Sequence, residues 1–224
     1  MAYLKYISYF LPENKLNNND LCEDNNDFTP EKILHKVGIS NRYRVNSNQF
    51  SSDLGCLAAE KLFEEYKVKK VDIDFILFCT QSPDYPLPTT ACIIQDKLGL
   101  NKNCGALDYN LGCSGFTYGL MIAKSLVDSG IANNILLITS ETYSLHLEKN
   151  DVSNNSIFSD AASASLITNC SKNNILDFIY GTDGSGAKNL ISKKNSFKNS
   201  SSNNSFFMNG AEVFKFTLFE VPVL

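Results

Sequence analysis

The sequence contains no tryptophan and only two histidines, His35 and His146. They stand far apart in no ligand pattern, and none of the seven cysteines forms a Cys-x-x-Cys pair. No metal site is therefore expected. Basic charge is not in excess: 20 Lys and Arg against 24 Asp and Glu leave a net charge of −4. That balance argues against a nucleic-acid partner. No apolar run approaches the ~20 residues of a membrane helix, so no membrane segment is expected. The first ten residues lack a basic lead and run into Leu11-Pro12-Glu13 rather than a small-residue cleavage site. They read as a first strand, not a signal peptide. With no export signal and irregularly spaced cysteines, reduced thiols and a cytoplasmic location are the expectation.

What is present is an ordinary globular composition, 43% hydrophobic and 20% charged over 224 residues. That length suits one large domain or two small ones. Two polar stretches, Asn14 to Asp27 and Ser192 to Ser205, read as exposed loops, since neither can bury enough apolar surface to offset its ordering entropy. Between them apolar patterns alternate. Helical spacing marks Leu54 to Tyr66, with Leu57, Leu62, Phe63 and Tyr66 on the apolar side, and also Thr90 to Leu98. Short, nearly continuous apolar runs at Asp74–Thr80 and Asn134–Thr139 read as strands covered on both faces. Cys104–Asn110 reads as a strand and Cys113–Asp128 as a helix. Ser163–Thr168 and Asn174–Tyr180 read as paired strands. Alternating strands and helices predict a layered α/β fold. The helix after Cys113 is apolar on most faces, which predicts a central position, as between two sheets.

Cys113 lies in the run Leu111-Gly-Cys-Ser-Gly-Phe-Thr-Tyr-Gly-Leu120, between a strand and that helix. The free N–H groups and dipole of a helix start favour a thiolate. Such positions lower a thiol pKa from about 8.5 to roughly 3.5–7.5. Small neighbours at 112, 114 and 115 allow a tight turn and close approach of a substrate. The arrangement suits a cysteine nucleophile for acyl transfer; the plain alternative is a buried structural cysteine. Gly181-Thr-Asp-Gly-Ser-Gly-Ala-Lys188 lacks the Gly-Lys-Ser/Thr ending of a phosphate loop. No Gly-x-Ser-x-Gly elbow is present.

The active-site run and its flanks resemble the β-ketoacyl-acyl-carrier-protein synthase III group of the thiolase superfamily. The similarity extends through Gly38-Ile-Ser-Asn-Arg42, Thr80-Gln-Ser-Pro-Asp-Tyr-Pro-Leu-Pro88, Ala91-Cys-Ile-Ile-Gln95, Asp108, Ser140-Glu141, Phe158-Ser-Asp-Ala-Ala-Ser-Ala164, Thr182-Asp-Gly-Ser185 and Met208-Asn-Gly-Ala-Glu-Val-Phe214. The resemblance implies a thiolase-like layered α-β-α-β-α fold built from two similar halves. Residues 1–170 would form the N-terminal half with the nucleophile, and residues 171–224 would only begin the second. It implies a homodimer, an acyl thioester on Cys113 with the cysteine's own N–H in the oxyanion hole, and decarboxylative condensation with malonyl-acyl carrier protein. No cofactor is implied beyond acyl thioesters of coenzyme A or carrier protein.

The same resemblance places Leu87 where it would cross the dimer interface and shape the partner's acyl pocket, with an ordinary core leucine as the alternative. Phe158 falls at the substrate-facing turn. Lys36 would offer positive charge near the entrance for a phosphate or an acidic carrier protein; a solvated lysine is the plain reading. At the two positions where coenzyme A-using relatives stack adenine between an aromatic side chain and an Arg, this chain has Lys32 and Val152. Three glycines of the turn near Asp160 are replaced by Ser159, Ala161 and Ser163. The family's catalytic His and Asn lie in its second half, and neither His35 nor His146 matches that His. The expectation is an incomplete ketosynthase-type acyltransferase; the alternative is a non-catalytic thiolase-fold module for dimerisation or carrier docking. The apolar segment Ala211 to Leu224 needs a cover, because leaving several such side chains wet costs several kcal/mol at about 25 cal/mol per Å2.

Overall fold

The structure is a computed structural model and describes residues 1–23, 27–193 and 206–223. In chain order its elements begin with β1 (Ala2–Phe10), β2 (Asn14–Asn17), α1 (Asn18–Cys22), α2 (Pro30–Val37), β3 (Asn41–Arg44) and α3 (Ser51–Tyr66). There follow β4 (Phe75–Cys79), α4 (Thr90–Lys97), β5 (Gly105–Tyr109), α5 (Gly115–Asp128) and β6 (Asn134–Glu141). The last are α6 (Val152–Asn155), β7 (Ala161–Asn169), β8 (Leu190–Ser192), β9 (Phe206–Met208) and α7 (Gly210–Glu220). The chain divides into two compact units that interleave in sequence. One comprises Met1–Leu16, Asn41–Thr142 and Ser159–Leu176; the other comprises Asn17–Ser40, Tyr143–Phe158 and Asp177–Leu224.

The first unit is built on a five-stranded sheet of order β1-β7-β6-β4-β5. β4 runs parallel to both β5 and β6, whereas β7 is antiparallel to β6 and to β1. The apolar runs of β4 and β6 are in the middle of the sheet, where Ile76–Phe78 and Ile135–Ile138 have no solvent exposure. Strand alternation then sorts the helices. Phe78 and Ile138 meet Gly55 of α3, and Ile94 of α4 reaches the same glycine. On the other face, Cys79 meets Gly115 and Leu137 meets Gly119, both on α5. The unit is therefore three layers, α3 and α4 over one face and α5 over the other.

Several expectations change at this level. The buried side of α3 is Leu54, Ala58, Ala59, Leu62 and Phe63, while Leu57 and Tyr66 are exposed. A small-residue face lets the helix axis lie close to the sheet. α5 is not buried all round: only Gly115, Gly119, Ala123 and Val127 are, a four-residue repeat that makes one stripe. Residues 174–180 do not pair with β7, which takes β1 and β6 as its neighbours. Instead, the Asn174 amide mimics a strand partner. It accepts from Leu4 N at 2.8 Å and donates to Leu4 O at 2.9 Å, beside a register shift between Leu4 and Tyr6.

In the second unit the Asn-rich segment is not simply a loop. Asn17 and Asp20 form a capping box that starts α1, because a short side-chain amide can satisfy the N–H groups a helix start leaves free. Asn18 is buried and donates to Ile39 O at 3.2 Å. Thr29 caps α2, Pro30 opens it, and Gly38 closes it at φ 76°, a left-handed turn that glycine adopts without strain. β8 and β9 pair antiparallel. Most of the predicted loop from 192 to 205 lies outside the described residues. α7 begins at Asn209, whose side chain accepts from Glu212 N, and has no buried residue.

Candidate active site

The carboxyl ends of β4, β5 and β6 bring three short segments together: Thr80–Asp84, Asn110–Ser114 and Ser140–Thr142. Open α/β sheets place ligands at this edge. Gly115 N donates to Gly112 O at 2.8 Å, closing a tight turn that carries Cys113 and Ser114 into α5. Cys113 is exposed at the head of that helix. It is therefore not a buried residue of this chain.

The neighbouring loop is held by a chain of hydroxyl and carboxylate contacts. Glu141, the last residue of β6, accepts from Gln81 N and from Ser82 Oγ, each at 2.7 Å. Ser82 Oγ accepts in turn from Thr142 N at 2.9 Å. Ser51 Oγ donates to Ser82 O, and Asp84 accepts from Ser52 N at the start of α3. Burial pushes the Glu141 carboxyl up to about 7, against the two hydrogen bonds it accepts. Gln81 lies against Gly112, where an added Cβ would be only 2.7 Å from the Gln81 Oε1. The Asp108 carboxylate takes the N–H groups of Thr90 and Ala91, both at 2.6 Å, and so caps α4 rather than facing a substrate. Its carboxyl is pushed up by burial.

Cys113 and Leu87 belong to the first unit, and Lys36 and Phe158 to the second. Leu87 is 81% exposed, so it is not a core residue of this chain. Phe158 stacks on Tyr143 at 4.8 Å between ring centroids and meets Phe206 edge-on at 5.2 Å. Lys36 is exposed on α2, in a concavity lined by Glu31, Lys32, His35 and Lys36. Lys32 lines the same concavity, whereas Val152 is buried and presents no face for stacking. His146 packs edge-on against Tyr143 at 6.3 Å. Ser159, which replaces a family glycine, uses its hydroxyl: Oγ accepts from Tyr43 N at 2.8 Å. Asp160 is fully buried and accepts from Val45 N at 2.9 Å. Among the described residues no group of three or more His, Cys, Asp or Glu could hold a metal ion.

The sequence pattern singles out neither Glu141 as an anchor of the 80–84 loop nor Cys79 as a neighbour of the Cys113 turn. The signal available is position: Glu141 ends β6 and Cys79 ends β4, the strands that stop beside these loops.

A cysteine-headed helix laid on a mixed α/β sheet, at the carboxyl ends of its parallel strands, fits the thiolase-like class that the resemblance implies, and the chain shares its fold with solved structures of that class. The family model for 3-oxoacyl-[acyl-carrier-protein] synthase III matches residues 107–184. A β-ketoacyl-[acyl-carrier-protein] synthase III of Campylobacter jejuni subsp. jejuni is 40% identical over 215 residues, covering 96% of this chain and 66% of that protein. The synthase III 2 of Halalkalibacterium halodurans is 33% identical over 226 residues, covering 99% and 68%. A crystal structure of a 3-oxoacyl-(acyl-carrier-protein) synthase III superposes with a TM-score of 0.96 at 41% identity, covering 99% of this chain and 71% of the other. The chain belongs to the β-ketoacyl-[acyl-carrier-protein] synthase III family. It spans 66% of the length of the Campylobacter relative.

Proposed function

We propose that this chain carries the nucleophile-bearing part of a β-ketoacyl-acyl-carrier-protein synthase III-type acyltransferase. The observation that carries the reading is the exposed Cys113 on a tight turn at the head of α5. In the proposed reaction the Cys113 thiolate attacks the carbonyl of an acyl thioester. The acyl–cysteine bond forms as the acyl–sulfur bond of the donor breaks, and the donor leaves as a thiolate that takes a proton from solvent. A malonyl thioester on acyl carrier protein then loses carbon dioxide, and its carbanion attacks the acyl-cysteine. That step releases the β-ketoacyl thioester and returns the thiolate. The donor is an acyl thioester of coenzyme A or of carrier protein, and no resident cofactor is required. The Cys113 N–H would serve the oxyanion hole. Leu87 would line a partner protomer's acyl pocket in a homodimer. Phe158 would face the acyl chain, and Lys36 would meet the phosphate or the acidic carrier at the entrance.

The domain reading that goes with this proposal has residues 1–170 as the nucleophile-bearing half and 171–224 as the beginning of the second. The cytoplasm is its proposed location. Among the described residues no helix is long and apolar enough to cross a membrane.

The test is direct. Incubation with an acyl thioester is expected to add one acyl mass to the folded chain, located at Cys113 by peptide mass spectrometry and absent in Cys113→Ala. An intact, folded protein that takes no acyl group would overturn the reading. Folding and self-association that persist without any adduct would favour a non-catalytic thiolase-fold module.

A further inference from the structure

The nucleophile turn is gripped from beneath by two side chains that no expectation assigned. Cys79 and Tyr109 are the last residues of β4 and β5, and they are register partners across that parallel pair. Cys79 Sγ donates to Leu111 O at 3.1 Å. Tyr109 Oη donates to Gly115 O at 2.8 Å. The two carbonyls stand two residues before and two residues after Cys113. Between them runs the turn that Gly115 N and Gly112 O close.

The packing around this pair is close. A Cβ at Gly115 would overlap Cys79 Sγ, and a Cβ at Gly119 would overlap Tyr109 Oη. The two glycines therefore leave the space that the thiol and the phenol fill. A glycine inside a helix costs about 1 kcal/mol relative to alanine, and here each one admits a donor to the turn. Burial raises the pKa of both groups, carrying Tyr109 above the usual phenol range. Both therefore keep their protons, and so their role as donors, at neutral pH.

We infer that Cys79 and Tyr109 are positioning residues for Cys113, holding the turn on both sides so that the thiol meets the acyl carbonyl in one orientation. The inference rests on the reading of Cys113 as the acylated nucleophile. Neither side chain touches substrate. They act through the backbone at 111 and 115, in keeping with the sensitivity of nucleophilic steps to small misplacements.

Three variants of the full chain test it: Tyr109→Phe, which removes only the hydroxyl; Cys79→Ala, which removes the donor; and Cys79→Ser, which keeps one. Two rates are measured, Cys113 acylation as a function of acyl-thioester concentration, and Cys113 alkylation by iodoacetamide followed at the peptide level. The exposed Cys92 serves as the internal reference. Tyr109→Phe and Cys79→Ala are expected to slow acylation at saturating donor by about fivefold to tenfold, as expected for the loss of one hydrogen bond. Half-saturation and melting temperature should stay near the parent values. The Cys113-to-Cys92 alkylation ratio should fall in step, and Cys79→Ser should recover most of both rates. Unchanged saturating rates and alkylation ratios in Tyr109→Phe and Cys79→Ala would overturn the inference. So would Cys79→Ser behaving like Cys79→Ala. If the parent chain takes no acyl group, the proposed function fails, and the alkylation ratios still decide whether these two residues set the turn.

Discussion

Helices α3 and α5 lie on opposite faces of one sheet, and they finish their own outer surfaces differently. α3 buries Leu54, Ala58, Ala59, Leu62 and Phe63, then turns Glu64 and Glu65 outward, with Lys61 and Glu65 paired four residues apart. α5 buries only a narrow stripe of small residues. Its remaining surface carries Phe116, Leu120, Met121, Ile122 and Leu126, all of them half-buried. Both helices approach the sheet through small residues, but α3 adds Leu54, Leu62 and Phe63 to its buried face, whereas α5 adds only Val127. α3 is an amphipathic outer layer. α5 approaches closely through glycines and keeps its bulk on the far side. Close approach is what brings the strand ends at 79 and 109 within reach of the Cys113 turn.

Deleting core volume is the strongest way to break the comparison. Leu62→Ala on α3 is expected to lower unfolding free energy by about 2–5 kcal/mol, the range for a fully buried leucine. Leu126→Ala on α5 should cost about 1 kcal/mol or less, because its side chain is only half-buried. Urea unfolding of both variants checks this, and equal costs would mean that α5 is buried as fully as α3.

The glycines sharpen the contrast. In Gly119→Ala the new Cβ meets Tyr109 Oη and lies 2.6 Å from Leu137 Cδ1. A loss of about 1–3 kcal/mol is expected from overpacking. Gly55→Ala on α3 brings its Cβ to 3.2 Å from Ile138 Cγ2 and 3.3 Å from Phe78 Cε2. The gain in helix propensity of about 1 kcal/mol opposes that crowding, so its stability should stay within about 1 kcal/mol of the parent. Thermal melts of the pair decide it.

The pH-dependent effect belongs to the loop beside the turn. Burial favours the neutral form of Glu141, whose folded value is about 7, against about 4.3 for an unfolded glutamate. The folded chain therefore holds this proton more tightly. The stability it contributes is full below about pH 4.3 and is lost as the pH rises through 7. Glu141→Gln should flatten that decline by roughly 1–2 kcal/mol between pH 4.5 and pH 8. Chemical denaturation at several pH values reads the slope, and a variant as steep as the parent would refute the assignment.

Much of the fold was legible in particular residues. The unbroken apolar runs at 75–79 and 135–138 announced strands covered on both faces, and both are at the sheet centre. The small residues around Cys113 announced the tight turn. Asn174 to Tyr180 misled, because apolar alternation signals an extended chain without naming a partner; one amide at Asn174 replaces a strand pairing. Within the predicted loop Asn14 to Asp27, Asn17 misled for the opposite reason, since asparagine is rare inside helices yet common at their starts. In the site, Cys113 was legible from its own neighbours. Glu141 and Cys79 were not, because each acts on residues 32 or 60 positions away; Tyr109 reaches Gly115, six residues on, only once the turn is folded.

Local pattern by itself determined the alternation of strands and helices, the central pair of strands and the cysteine at a helix start, since each depends only on residues adjacent in the chain. Tertiary structure alone decided which stripe of α5 meets the sheet, and that Cys79 and Tyr109 arrive together under residues 111 and 115. The physical reason is register: strand pairing sets which side chains end side by side, and no local preference encodes a contact made across 32 residues of chain.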